Sequence, residues 1–217
     1  MSAVFGSVVA TCDSEIARVV HDHGGRVVMT SPEHPAATDR VAEAARQLDC
    51  THVVNVQGDE ILVLPTDLER MVRAMEMDPE VPVWNAVSPL ETPDELSDPS
   101  IVKGVVSISG RVLFCSRDFS WLSGIPGGKE NPVRRVLGIL GYQKEFLEQF
   151  IQLPRTPLEI AESIDQSRTL EHDFLLRSVL FPKGYVGINE RREVEAVQSA
   201  LKEDPRQREV WRELQVE

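Results

Sequence analysis

The sequence predicts an α/β protein: a mostly parallel sheet with helices on both of its faces. Three observations carry that expectation. Short apolar runs such as Val4 to Ala10 and His52 to Gln57 lack in-out alternation, as strands buried on both sides do. Stretches with apolar residues at helical spacing lie between them. Glycines, prolines and capping residues mark each change of period.

Taken in order, Val4 to Ala10 reads as the first strand. Asp13 can accept from free N-terminal amides and opens a helix carrying Ile16, Val19 and Val20 on one face. Gly24-Gly25 ends that helix, and Arg26 to Thr30 is a second strand. A loop from Ser31 to Ala37 leads into a helix from about Thr38, with Val41, Ala44, Ala45 and Leu48 on its apolar side. His52 to Gln57 is the third strand, broken at Gly58, and a helix over roughly Thr66 to Met77 follows. Val83 to Val87, Ile101 to Ile108 and Arg111 to Cys115 read as strands, the last two joined across Ser109-Gly110 as a hairpin. Asp118 to Pro132 holds three glycines and two prolines and is expected as a loop. Strand Arg135 to Tyr142, helices from Lys144 and Thr156, strand Leu175 to Phe181 and a helix from Glu190 come next. Asp204-Pro205 starts a charged last helix. Thr66 to Glu69, Thr92 to Glu95 and Thr156 to Glu159 share the Thr-x-x-Glu spacing of a capping box. No repeat or low-complexity linker interrupts the chain. The expected organisation is therefore one domain over 1–217, with a hairpin-rich lobe inserted at about 83–142.

Composition removes whole classes of function. The 217 residues carry 35 acidic and 23 basic side chains, a net charge of −12. Such a surface argues against wrapping nucleic acid or docking on an anionic membrane. No apolar run approaches the roughly 20 residues that span a bilayer. Cys12, Cys50 and Cys115 are odd in number and widely spaced, which fits a reducing compartment and no zinc site. His21 and His23 lie two apart on a predicted helix and face different ways, so they make a poor metal pair.

The densest polar signal is Asn55-Val-Gln-Gly-Asp-Glu60. An apolar strand runs straight into Gln-Gly-Asp-Glu and so collects polar groups at a strand's carboxyl end, where open α/β sheets bind ligands. An aspartate fixed there is a hard-oxygen ligand suited to Mg²⁺. A plain strand-to-turn exit through Gly-Asp accounts for the same residues.

Around it, Val9-Ala-Thr-Cys-Asp13, Gly24-Gly25, Met29-Thr-Ser31, His34 and Thr38-Asp-Arg40-Val-Ala-Glu43 stand in the order and spacing of the CMP-Kdo synthetases, the 3-deoxy-manno-octulosonate cytidylyltransferases. Asp98 to Lys103, Gly110 to Arg117, Leu137 to Tyr142, Pro157 to Glu162 and Leu170 to His172 continue the likeness. From about Val4 to Val197 the chain resembles that family. The resemblance implies a Rossmann-like nucleotidyltransferase sheet and transfer of CMP from CTP to an acidic 3-deoxy-ulosonate, Kdo or a related sugar, with release of pyrophosphate. It further implies Mg²⁺ as cofactor and a cytoplasmic homodimer serving lipopolysaccharide biosynthesis, the charged tail contributing to the dimer.

Site roles follow from the same likeness. Asp59 is the expected catalytic metal ligand, and Asn189 stands where the family has a second metal-binding aspartate. Ala37, Thr38 and Arg40 lie in the stretch that holds the nucleotide. Gln57, Glu159 and Glu162 match sugar contacts. For the two glutamates a second reading stands beside this one: Glu159 caps its helix, and Glu162 lies on a solvated face.

The chain also departs from the family. It begins after the basic, glycine-containing phosphate loop, so an N-terminally short domain is expected. Ala36-Ala37 replaces Ser-Gly, and Val136 and Leu140 replace a His and a Tyr of the sugar-facing stretch. Asn189 brings one negative charge fewer than aspartate. The alternative is thus a non-catalytic or truncated homologue that keeps the fold for binding or assembly. A glycosyltransferase would want Asp-x-Asp, which Gly58-Asp59-Glu60 does not supply.

Overall fold

The computed structural model describes residues 6–122, 124, 131–188 and 191–214. The first elements are β1 (Val9–Thr11), α1 (Ser14–Asp22), β2 (Val27–Met29), α2 (Ala37–Arg46), β3 (His52–Val56) and α3 (Pro65–Met77). Then come β4 (Val83–Ser88), β5 (Lys103–Val106), β6 (Val112–Ser116) and β7 (Val133–Gln143). The chain continues through α4 (Lys144–Phe150), α5 (Pro157–Glu162), α6 (Gln166–Glu171), β8 (Leu176–Leu180), α7 (Val194–Glu203) and α8 (Pro205–Leu214). The expected α/β class holds. Part of the first strand, most of the loop after Leu122, and Asn189 with Glu190 lie outside the described residues.

Local chemistry places several ends where expected. Asp13 Oδ1 accepts from the amides of Glu15 (2.7 Å) and Ile16 (3.2 Å), capping α1. The hairpin between β5 and β6 turns at Gly110, whose φ of +81° a side chain would strain. Ile16 and Val19 of α1 are exposed, however, and Ala17 is the buried residue of that helix. Two of the expected capping boxes are absent. α3 begins at Pro65 with Leu64 before it, one residue ahead of Thr66. Thr92 precedes a 3₁₀ turn, and Glu95 instead accepts from the Glu91 amide at 3.3 Å. At Thr156 the glutamate half is present: Glu159 Oε2 accepts from the Thr156 amide at 3.3 Å.

The pairing is mixed, which corrects the expected predominance of parallel strands. β1 and β2 pair in parallel as a separate two-stranded sheet, and β4 pairs in parallel with β8. β7, eleven residues long, runs antiparallel to β3, β4 and β5, and β5 runs antiparallel to β6. The physical reason lies in burial. Every residue of β4 is buried, and six of the eleven residues of β7 are buried with none exposed. Double-sided burial explains their uninterrupted apolar runs without fixing strand direction. The end strands of the segment 83–142, β4 and β7, lie at the centre of the six-stranded sheet, with the hairpin β5–β6 at its edge.

Helices do cover both faces. Val83, Leu140, Tyr142 and Leu176 pack on one side against Ala42 and Ala45 of α2 and Phe146, Leu147 and Phe150 of α4. Trp84, Ala86, Leu137, Ile139 and Val179 pack on the other against Met71 and Met75 of α3. At roughly 1.5–3 kcal/mol for each fully buried large apolar side chain, these two clusters dominate the stabilisation.

Candidate active site

A cleft of about 350 Å³ opens where β3 ends. Gln57, Asp59 and Glu60 enter it from the turn after β3, and Ala37 and Thr38 from the first turn of α2. Val136 to Gly138 and Leu140 of β7 form its floor, and Ser163 to Gln166, between α5 and α6, form a wall. Ser100 to Val102, Arg117, Arg135, Tyr185 and Gly187 complete the lining.

Asp59 is half-buried, and its carboxylate makes no hydrogen bond or ion pair among the described residues. The returning segment packs tightly behind it. A side-chain carbon on Gly187 would lie 3.0 Å from the Asp59 carbonyl, and the Ile188 amide donates to that carbonyl at 3.4 Å. Glu60 turns inward, accepting from the Gly138 amide through Oε1 at 2.6 Å, while its buried Oε2 has no partner. Burial therefore pushes the Glu60 carboxyl above its ordinary range, against the opposing pull of the Gly138 hydrogen bond.

Thr38 Oγ1 donates to Asp165 Oδ2 at 2.9 Å, tying α2 to the start of α6 across the cleft. Lys103 is fully buried and donates to the carbonyls of Asp98 (2.6 Å), Ile101 (2.8 Å) and Arg117. Burial pushes its ammonium pKa down. One buried side chain thus fixes two loops and delivers Ser100, Ile101 and Arg117 to the cleft. Arg117 leans on the Glu162 carbonyl (2.9 Å) and the Pro99 carbonyl (2.9 Å), and Arg135 on the Tyr185 carbonyl (3.4 Å).

The structure brings Ala37, Thr38, Gln57 and Asp59 together, and leaves three other expected residues outside the lining. Arg40 donates to Thr30 Oγ1 at 2.6 Å and to the Ser31 carbonyl at 3.5 Å, pinning the loop before α2. Glu159 is fully buried and forms a two-pronged pair with Arg168 (2.7 and 2.5 Å), with Arg155 adding a bond at 2.9 Å. Glu162 accepts from Ser116 Oγ (3.2 Å) and the Arg117 amide (3.0 Å). These carboxylates brace the wall behind the cleft. Asn189 lies outside the described residues.

Sequence reasoning passed over Glu60, Arg117, Arg135, Asp165 and Gln166. Glu60 and Arg117 sit within motifs already quoted. Asp165 and Gln166 follow α5 by three and four residues, and no local pattern signals that they reach the site. Among the described residues no group of three or more His, Cys, Asp or Glu could hold a metal by itself. His23 bonds the Val19 carbonyl at 2.8 Å and His34 bonds Glu43. No helix among the described residues is long and apolar enough to cross a membrane.

An acidic turn at a strand's carboxyl end thus faces a helix N-terminus across a cleft in a mixed α/β sheet, the place where open α/β sheets bind ligands. The chain superposes on the structure of CMP:2-keto-3-deoxy-manno-octonic acid synthetase complexed with CTP with a TM-score of 0.83, at 28% identity, covering 93% of this chain and 83% of that one. The cytidylyltransferase family model matches residues 1–178. A 3-deoxy-manno-octulosonate cytidylyltransferase from Myxococcus xanthus is 39% identical over 197 residues, covering 89% of this chain and 78% of the relative. One from Syntrophotalea carbinolica is 36% identical over 207 residues, covering 90% and 81%. The chain belongs to the cytidylyltransferase family.

Proposed function

We propose that the chain transfers the cytidylyl group of CTP to the anomeric hydroxyl of an acidic 3-deoxy-ulosonate, Kdo first among them, and releases pyrophosphate. The single observation that carries this reading is the meeting of Asp59, Gln57 and Thr38 on one cleft, in a chain that superposes on the CTP complex at 0.83. In this reading Ala37 and Thr38 lie beside the nucleotide, and Gln57 meets the sugar. Arg117 and Arg135 give an acidic protein the local cations that a triphosphate and a sugar carboxylate require. The hydroxyl attacks the α-phosphorus as the bond to pyrophosphate breaks, and the protein contributes mainly positioning and charge.

Mg²⁺ fits the donor set. It takes one or two carboxylates and fills its octahedron with waters and phosphate oxygens, and Asp59 offers one carboxylate free of competing hydrogen bonds among the described residues. When bound it would neutralise charge on the triphosphate. Asp59 would hold it, with Asn189 as a neutral second oxygen. The reading extends to a cytoplasmic homodimer. Exposed Ile108, Leu113 and Phe114 on the edge hairpin β5–β6 support self-association.

The test is pyrophosphate release from CTP, Kdo and Mg²⁺. Asp59→Ala should lower turnover at least 100-fold with an unchanged melting temperature. Undiminished turnover in that variant would remove Asp59 from the reaction. CTP binding without turnover on any acidic keto-sugar would favour a non-catalytic homologue.

A further inference from the structure

The cleft floor contains an irregularity with its own polar plug. Asn85 of β4 pairs with Leu140 of β7, yet Val87, two residues on, pairs with Val136, four residues back. β7 therefore bulges by two residues across Leu137 to Ile139, and the Leu137 and Ile139 carbonyls fall out of the ladder. Bulges of this kind re-aim side chains beside active sites. Asn85, 1% exposed, fills the gap: its Nδ2 donates to the carbonyls of Leu137 (2.8 Å), Ile139 (3.2 Å) and Ala86 (3.0 Å).

Those three groups can only accept, which fixes the orientation of the Asn85 carboxamide. Oδ1 must face the other way, and there it meets Gln166 Nε2 at 2.8 Å. Because Asn85 Oδ1 can only accept, Gln166 must present its nitrogen to it. The same logic, passed one residue further, leaves Gln166 Oε1 as the remaining acceptor on a residue that lines the cleft.

We infer that Asn85 is a positioning residue for substrate recognition: it locks the Gln166 carboxamide so that Oε1 accepts a hydrogen bond from a sugar hydroxyl. This rests on the proposal that an acidic keto-sugar occupies the cleft. The consequence is selectivity. A site with a fixed acceptor discriminates against an analogue lacking the matching hydroxyl, because the half-buried acceptor then goes unpaired once bound substrate excludes water. Free to flip, Gln166 would offer donor or acceptor and lose that discrimination.

The experiment combines a double-mutant cycle with a direct view of the amide. Asn85→Ala should raise KM for Kdo about tenfold, leave KM for CTP and kcat within twofold, and add less than twofold in a Gln166→Ala background. Should Asn85→Ala fail to fold, Asn85→Ser keeps one donor for the bulge carbonyls and lacks the oxygen that holds Gln166. In ¹H–¹⁵N spectra the Gln166 side-chain NH₂ pair should move toward its free-amide position in either variant. Equal effects of Asn85→Ala with and without Gln166, or a matching rise in KM for CTP, would overturn the proposal. So would an unmoved Gln166 amide pair in a variant that still binds Kdo. A parent chain that binds CTP but not Kdo would instead refute the sugar assignment, and the role of Gln166 as its reader with it.

Discussion

Replacing Glu159 by alanine separates a sugar contact from a structural brace. Glu159 is 0% and Arg168 2% exposed, and the two share a pair of bonds at 2.7 and 2.5 Å. Burial alone would raise the Glu159 carboxyl, but the Arg168 and Arg155 hydrogen bonds outweigh it and hold the group below its usual range. Removing the carboxylate leaves the Arg168 guanidinium buried over the Phe150 ring, 4.4 Å from its centre, with its main counter-charge gone. Breaking a buried pair on one side costs about 3–5 kcal/mol. In a chain of this size that lowers the melting temperature by about 6–20 °C. Differential scanning calorimetry reads this directly. Since the folded-state pKa is depressed, the pair's contribution is complete at neutral pH and is lost as pH falls through that pKa. The gap between parent and variant should therefore narrow in acid. Replacing Glu159 and Arg168 together by methionine should recover most of the loss. A Glu159→Ala variant that melts within about 2 °C of the parent, well below that range, while KM for Kdo rises tenfold would refute this reasoning and return Glu159 to the sugar site.

Further outcomes follow from single contacts. Gly138→Ala would put a carbon 2.7 Å from Gln57 Oε1, so the Gln57 side chain must move off the cleft floor. KM for the sugar should rise several-fold, with about 1–3 kcal/mol or less lost in a denaturant melt. Glu60→Gln should stabilise the protein increasingly as pH rises. The raised Glu60 pKa means the folded parent binds the extra proton, so its stability falls with pH through that range, whereas the amide's does not. Thermal melts from pH 5 to 8 would show the curves diverging, and parallel curves would contradict the burial argument. In a thiol-reagent titration of native protein, exposed Cys12 should react within minutes. Cys115, fully enclosed with its thiol pushed up to about 12, should react only on unfolding.

Much of this protein was readable residue by residue. The strand, helix and turn positions follow local rules. So does the strand-end motif carrying Gln57 and Asp59, because a capping oxygen, a positive-φ glycine or a helical apolar period acts over a few residues. The family resemblance extended that to Ala37 and Thr38. It also pointed to Arg40, Glu159 and Glu162, which the structure leaves outside the cleft lining. A carboxylate at the third position of a short helix can reach a sugar or an arginine with the same sequence around it. Only the packing of α5 against α6 decides for Arg168.

Strand direction was undetermined for a similar reason. An apolar run records that both faces are buried and says nothing about which neighbour lies alongside, so the antiparallel course of β7 through the sheet emerges only in three dimensions. The sequence by itself determined the elements, the acidic turn at the end of β3 and a net charge of −12 that makes local cations necessary. The tertiary structure decided which cations and amides reach the cleft. Arg117 is held there through Lys103 and Gln166 through Asn85, by contacts between residues 14 and 81 positions apart that no local pattern encodes.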